Sequence, residues 1–72
     1  MPARLADLTR ALRSLGVNVE KPRSGSHYRA LRDGKVYPIP AHNGPKTEIT
    51  DTYIRGVCRA FGLDEDELRK LL

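Results

Sequence analysis

The dipeptide Asp33-Gly34 constrains this chain more than any other feature, because it lies between two strand-like runs, Tyr28 to Arg32 and Lys35 to Ala41. A two-residue type I′ turn needs φ > 0 at both central positions, so Asp-Gly between alternating runs predicts a tight β-hairpin. The register is then set. Arg32 faces Lys35 in a hydrogen-bonded pair, and outward from the turn Leu31 faces Val36, Ala30 faces Tyr37, Arg29 faces Pro38, Tyr28 faces Ile39 and His27 faces Pro40. Both prolines fall in non-bonded pairs, where the missing N–H points away from the partner strand. Lys35 to Ala41 is therefore expected to be an edge strand, with any third strand on the other side of Tyr28 to Arg32.

Period two sorts the side chains. Tyr28, Ala30, Tyr37, Ile39 and Ala41 share one face, the better core, while His27, Arg29, Leu31, Val36, Pro38, Pro40 and His42 share the other. Both histidines of the chain, with Arg29, thus project from the open face of a small sheet.

The flanking segments supply the cover. Leu5, Leu8, Leu12 and Leu15 recur at helical spacing from Ala3 to Leu15, and Gly16 ends that helix as a C′ glycine. Its arginines, Arg4, Arg10 and Arg13, read as a solubilising face rather than as dedicated phosphate contacts. Val17 to Lys21 alternates and is the expected first strand, with Val17 and Val19 on the core face. Pro22 to Gly25 is a turn-rich connection with Arg23 near its tip. After the hairpin, Asn43-Gly44-Pro45 breaks the chain in a loop from His42 to Thr47. A second helix begins near Thr50 or Asp51, carries Ile54, Val57, Cys58 and Phe61 as its apolar stripe, and closes at Gly62. Asp64 as N-cap, Glu67 three residues on, and Leu63 placed to staple against Leu68 start a short third helix, continued on its apolar side by Leu71 and Leu72. Its acids near the N-terminus suit the helix dipole. The expected architecture is α+β: a two-layer sandwich whose three-stranded antiparallel sheet has the order 1-2-3, with helices on one face.

Seventy-two residues make one domain, 1–72, with a small core and no room for a large enclosed cavity. Cys58 has no disulfide partner and lies in an apolar stripe, where a buried, inert thiol is expected. No apolar run is long enough for a signal peptide or a membrane span, so no membrane role is expected and the expected compartment is the cytoplasm. The net charge is +4, but the acids cluster at Asp64 to Glu67, and residues 1–63 alone carry +6. A small basic domain fits a polyanionic partner, either nucleic acid or an acidic protein that mimics it.

The triplet Gly25-Ser26-His27 at the start of a strand, the Asp33-Gly34 turn, the strand ending at Pro40 two residues before His42, and the closing helices resemble the HicA family, toxins of type II toxin-antitoxin modules. The likeness covers nearly the whole chain. Ser24 after Arg23 stands where many relatives carry lysine, and Pro38-Ile39-Pro40 is richer in proline than the usual family strand. The resemblance implies a double-stranded-RNA-binding-domain-like fold, an endoribonuclease activity on mRNA that blocks translation, and a HicB-type antitoxin partner covering the site. It also implies that His27, which matches the family's catalytic histidine, is the catalytic residue.

The residues allow that chemistry. RNA can be cut without a metal, because its own 2′-hydroxyl attacks the adjacent phosphate if one group takes that proton, another protonates the leaving 5′-oxygen, and cations stabilise the phosphorane. Imidazole suits both proton steps. The candidate RNA-binding residues are Arg23, Ser26, Arg29, Lys46 and His42. Of these, Arg23, Arg29 and Lys46 are candidate charge stabilisers and His42 a second proton carrier, although a histidine opening a loop is commonly only a turn residue. Two histidines and one core cysteine make no zinc set, so no metal or cofactor is expected. The alternative is a non-catalytic RNA-binding or antitoxin-docking module of the same fold, with His27 an ordinary surface histidine at a strand end. A protein-interaction domain without a nucleic-acid role is a third reading. The free chain is expected to be a monomer.

Overall fold

The computed structural model describes residues 3–22 and 25–72. In chain order the elements are β1 (Ala3–Arg4), α1 (Leu5–Ser14), β2 (Asn18–Glu20), β3 (His27–Arg32), β4 (Lys35–Pro40), a 3-10 turn (Gly44–Lys46), β5 (Glu48–Ile49), α2 (Asp51–Phe61) and α3 (Glu65–Lys70). Strands β2, β3 and β4 form an antiparallel sheet in that spatial order. The central turn has φ of 53° at Asp33 and 79° at Gly34, the two positive values that a type I′ turn requires. All six pairs of the hairpin register occur as the turn and the prolines dictate. On the other side of β3, Asn18 pairs with Leu31, Val19 with Ala30 and Glu20 with Arg29.

One face of this sheet carries the core. Val19, Tyr28, Ala30 and Ile39 are buried against Leu5, Leu8 and Leu12 of α1 and against Ile54, Val57, Cys58 and Phe61 of α2. Helix α1 packs beside β2 and α2 beside β4, so the two main helices share the layer that covers the sheet. The protein is therefore α+β with a three-stranded antiparallel sheet and helices on its apolar face.

Helix α1 begins two residues later than the leucine spacing predicts. Ala3 and Arg4 are instead extended and pair with Ile49 and Glu48, forming a separate two-stranded ribbon of β1 and β5. Arg4, the N-cap, gives no side-chain cap. The amide of Leu5, which has no partner within the helix, donates to the Thr47 carbonyl at 2.8 Å. A chain-distant carbonyl thus takes the place of a capping side chain and ties the start of α1 to the loop after β4.

The later helices use their own caps. Thr50 Oγ1 accepts from the Tyr53 amide at 3.4 Å, and Asp64 accepts from the amides of Asp66 and Glu67 at 2.9 and 3.3 Å. Leu68 is fully buried and Leu72 packs on the core, but Leu71 is exposed, so the apolar side of α3 is narrower than its sequence implies. Glu65 does more than suit a helix dipole. It accepts from Arg69 Nε at 2.8 Å and lies 3.7 Å from Arg55 Nε, while Arg69 also donates to Asp51 at 3.0 Å, fastening α3 to α2.

Arg32 is a feature that the hairpin pattern hides. Period two puts it on the core face, where an unpaired cation is costly. Its guanidinium donates to the carbonyl of Phe61, the last residue of α2, reaches the Leu15 carbonyl at the end of α1 at 3.5 Å, and lies 6.0 Å from the centre of the Phe61 ring. Two helix C-termini, each with unsatisfied carbonyls and partial negative charge, are thereby closed by one side chain at the hairpin tip.

Candidate nucleic-acid interface

The end of the hairpin away from the Asp-Gly turn assembles the candidate residues. Pairing continues one rung past β3 and β4, because the amide of Ala41 donates to the Ser26 carbonyl at 2.6 Å. Gly25 precedes that rung with φ of 98°, a conformation open to glycine and strained for other residues, so the chain can turn sharply into β3. His27 comes next as the first residue of β3 and is exposed on the sheet face that no helix covers. Its Nδ1 lies 3.5 Å from the Ser26 hydroxyl, a long contact that brings a second polar group beside the ring.

Arg29, two residues on, shares that face. It is not a free cation: its guanidinium donates to Glu20 on β2 at 3.0 Å, across the bonded pair Glu20–Arg29. Both side chains are about half exposed, so the pair is held weakly, and a phosphate can compete for Arg29. Glu20 is a residue that the sequence pattern alone does not bring to this site. Opposite charges at paired positions of adjacent strands are its signal, but that signal needs the β2–β3 register.

His42 lies one residue beyond Ala41, so the two histidines flank the last rung of the hairpin. The Gly44 amide donates to the Ala41 carbonyl at 3.0 Å, which makes His42 the first central residue of a tight turn, and it is exposed. Thr47 organises the rest of this loop. It is fully buried, donates through Oγ1 to the Gly44 carbonyl at 2.7 Å, and accepts from the Asn43 amide at 2.9 Å. Lys46, exposed on the 3-10 turn, is therefore held in a rigid loop, but one packed against α1 rather than laid on the open sheet face. Arg23 lies outside the described residues.

The structure thus brings Ser26, His27 and Arg29 together, puts His42 one residue past the last rung in a turn, and puts Lys46 farther along the same loop. Beside them the open face carries an apolar strip. Leu31 and Val36 are directly opposed in a non-bonded pair, where side chains approach most closely, and Pro38 lies next along the same face. Val36 is 53% exposed.

Elsewhere the titratable groups do not converge. Among the described residues no three or more His, Cys, Asp or Glu side chains gather as a metal-ligand set. Burial, and after it the nearby Glu65 carboxylate, pushes the Cys58 thiol up, which disfavours the thiolate a nucleophile needs. No helix among the described residues is long and apolar enough to cross a membrane. Compared with known proteins, the chain matches no family model and no curated sequence.

Proposed function

We propose that the protein is a metal-independent endoribonuclease of the HicA type, acting on mRNA and held in check by a HicB-type antitoxin that covers the same face. The observation that carries this reading is the placement of His27: exposed, at the mouth of a glycine corner, beside Ser26 and two residues from Arg29. The order helix, three antiparallel strands, helix, with the helices on one sheet face, supports a double-stranded-RNA-binding-domain-like fold.

In this mechanism the 2′-oxygen forms a bond to the adjacent phosphorus as the bond to the 5′-oxygen breaks, leaving a cyclic phosphate and a free 5′-hydroxyl. His27 carries one proton step, taking the 2′ proton or supplying the 5′ proton, and His42, if the loop after the last rung folds back toward it, is the candidate for the other. Arg29, once drawn from Glu20, offsets the charge that builds on the phosphorane. An exposed strand face admits single-stranded RNA more readily than a closed pocket would, and no cavity has to form around the scissile bond.

The test is cleavage of single-stranded RNA in the presence of a chelator. Wild-type protein is expected to cut it, to leave a 2′-deoxy version of the same strand intact, and to slow by roughly 10²–10⁴-fold on His27→Ala. Equal cutting by wild type and variant, or binding by both without cutting, would favour the non-catalytic binding module instead. Binding that ignores added salt would remove the phosphate contacts from either reading.

A further inference from the structure

We infer that both edges of the three-stranded sheet are closed to strand addition by this chain's own residues. A partner protein, or a second copy, is then not added to this sheet as a fourth strand. The inference rests on register and hydrogen bonds alone and does not depend on nuclease activity.

An open sheet edge presents alternating N–H and C=O groups, which template pairing with another chain. On β4 the groups that point away from β3 belong to the residues in non-bonded pairs, namely Val36, Pro38 and Pro40. Proline has no N–H, so of these three positions only Val36 can donate outward. An incoming strand would find acceptors at Pro38 and Pro40 but leave its own carbonyls opposite them without partners, and an unsatisfied buried carbonyl outweighs the gain from one made bond.

The edge at β2 is closed in another way. Hydrogen bonds from β3 toward β4 use Tyr28, Ala30 and Arg32, so those toward β2 use Arg29 and Leu31, and Val19, opposite Ala30, turns its backbone groups outward. Its carbonyl is occupied, because Arg13 of α1 donates to it at 2.8 Å. Two residues earlier the amide of Val17, also outward by parity, donates to the Leu12 carbonyl at 2.9 Å. The last turn of α1 therefore runs along β2 and takes up one of the two outward groups at each of Val17 and Val19, which interrupts the bonding pattern a new strand would need. Arg13, which the helix pattern assigns to a solubilising face, is here an edge guard. The guards differ in kind: the prolines remove donors permanently, whereas Arg13 occupies an acceptor that a single substitution exposes.

Pro38→Thr/Pro40→Thr restores the missing donors on β4, and Arg13→Ala exposes the Val19 carbonyl on β2. Sedimentation velocity of the full chain over the micromolar to millimolar range is expected to show a concentration-independent wild type. Self-association should be roughly tenfold or more tighter in the combined variant, as expected for restoring two or three interchain bonds. Circular dichroism checks that the variants fold. A second measurement needs no variant: in wild-type protein the Val36 and Val19 amides should exchange with solvent at rates that do not fall as protein concentration rises. A combined variant that folds and stays as monodisperse as wild type overturns the inference, and so does concentration-dependent protection of Val36 or Val19 in wild-type protein.

Discussion

Ile39 and Val36 stand three residues apart on one strand, yet they belong to opposite worlds. Ile39 is fully sealed between the sheet and α2, while Val36 is 53% exposed beside Leu31 on the uncovered face. Every residue on β3 and β4 takes one side or the other of this divide, and what sets the side is parity counted from Asp33-Gly34. The covered face holds the molecule together. The open face, which carries His27, Arg29 and Pro38, contributes little to that task, so its residues are free to serve a ligand. A chain this short separates its core from its ligand-accessible surface by the two sides of one sheet rather than by separate domains.

The two faces should differ most at their extremes. Ile39→Ala removes a fully buried branched side chain and is expected to cost about 2–5 kcal/mol. Val36→Ala should stay within about 0.5 kcal/mol of wild type. Denaturant midpoints at unchanged slope measure both. Comparable losses for the two would show that the open face is covered in solution and that the two sides are not distinct.

Arg32 is the exception on the covered side, a cation at a core position. Its substitution by methionine, Arg32→Met, keeps most of the packing but leaves the Phe61 and Leu15 carbonyls without their donor, with an expected cost of about 1–3 kcal/mol. Arg32→Lys should recover only part of it, because a single ammonium cannot reach two carbonyls as a guanidinium fork does. If lysine restores full stability, the interaction is a charge effect of the helix ends and not a specific closure.

The hairpin is legible in the sequence because two independent constraints agree: the turn demands one register, and that register puts both Pro38 and Pro40 where a missing N–H does no harm. The leucine stripe of α1, the stripe of α2 and the Asp64 cap are legible for the same reason, each being a local pattern with a local cause. The hidden features depend on partners distant in sequence. Two residues, Ala3 and Arg4, are too few to show alternation, so β1 reads as the start of α1 until Ile49 and Glu48 are seen opposite. Thr47 looks like any loop threonine, and only its burial reveals that it holds the turn together. Arg32 does leave a trace, since parity puts a charge on the core face, but its carbonyl partners lie at the ends of two helices. In the candidate site, the sequence places His27 and Arg29 on their shared face, whereas the Glu20 pairing and the attachment of Lys46 to α1 require the fold.

A subtler point of contact on the covered side is Gly56. It lies inside α2, where alanine would ordinarily gain up to about 1 kcal/mol. A Cβ there would run into the phenol hydroxyl of Tyr37 on β4. Overpacking of this kind costs about 1–3 kcal/mol, so Gly56→Ala is expected to destabilise by about 1 kcal/mol net. In a Tyr37→Phe background the blocking oxygen is gone while ring carbon Cζ still lies 3.1 Å from the added Cβ, so the loss should shrink without vanishing. A double-mutant cycle on unfolding free energies reads the coupling directly. An equal loss in both backgrounds would place the strain elsewhere in the helix.

The smallest effect on stability tests the open face from within. Glu20→Gln removes the carboxylate that holds Arg29 while keeping shape and β2 pairing, and an exposed pair of this kind is worth no more than about 1 kcal/mol. Stability should therefore change by less than that, whereas affinity for single-stranded RNA should rise. The freed guanidinium can meet a phosphate without first leaving a partner, and the variant has lost a negative charge that repels one. Because Arg29 meets a phosphate in the proposed complex with or without Glu20, the dependence of log binding constant on log salt should keep its slope while binding tightens. Tighter binding would mean that Glu20 competes with RNA for Arg29. Unchanged affinity would mean that RNA does not touch this part of the sheet, and would move the contact surface toward Lys46 and α1.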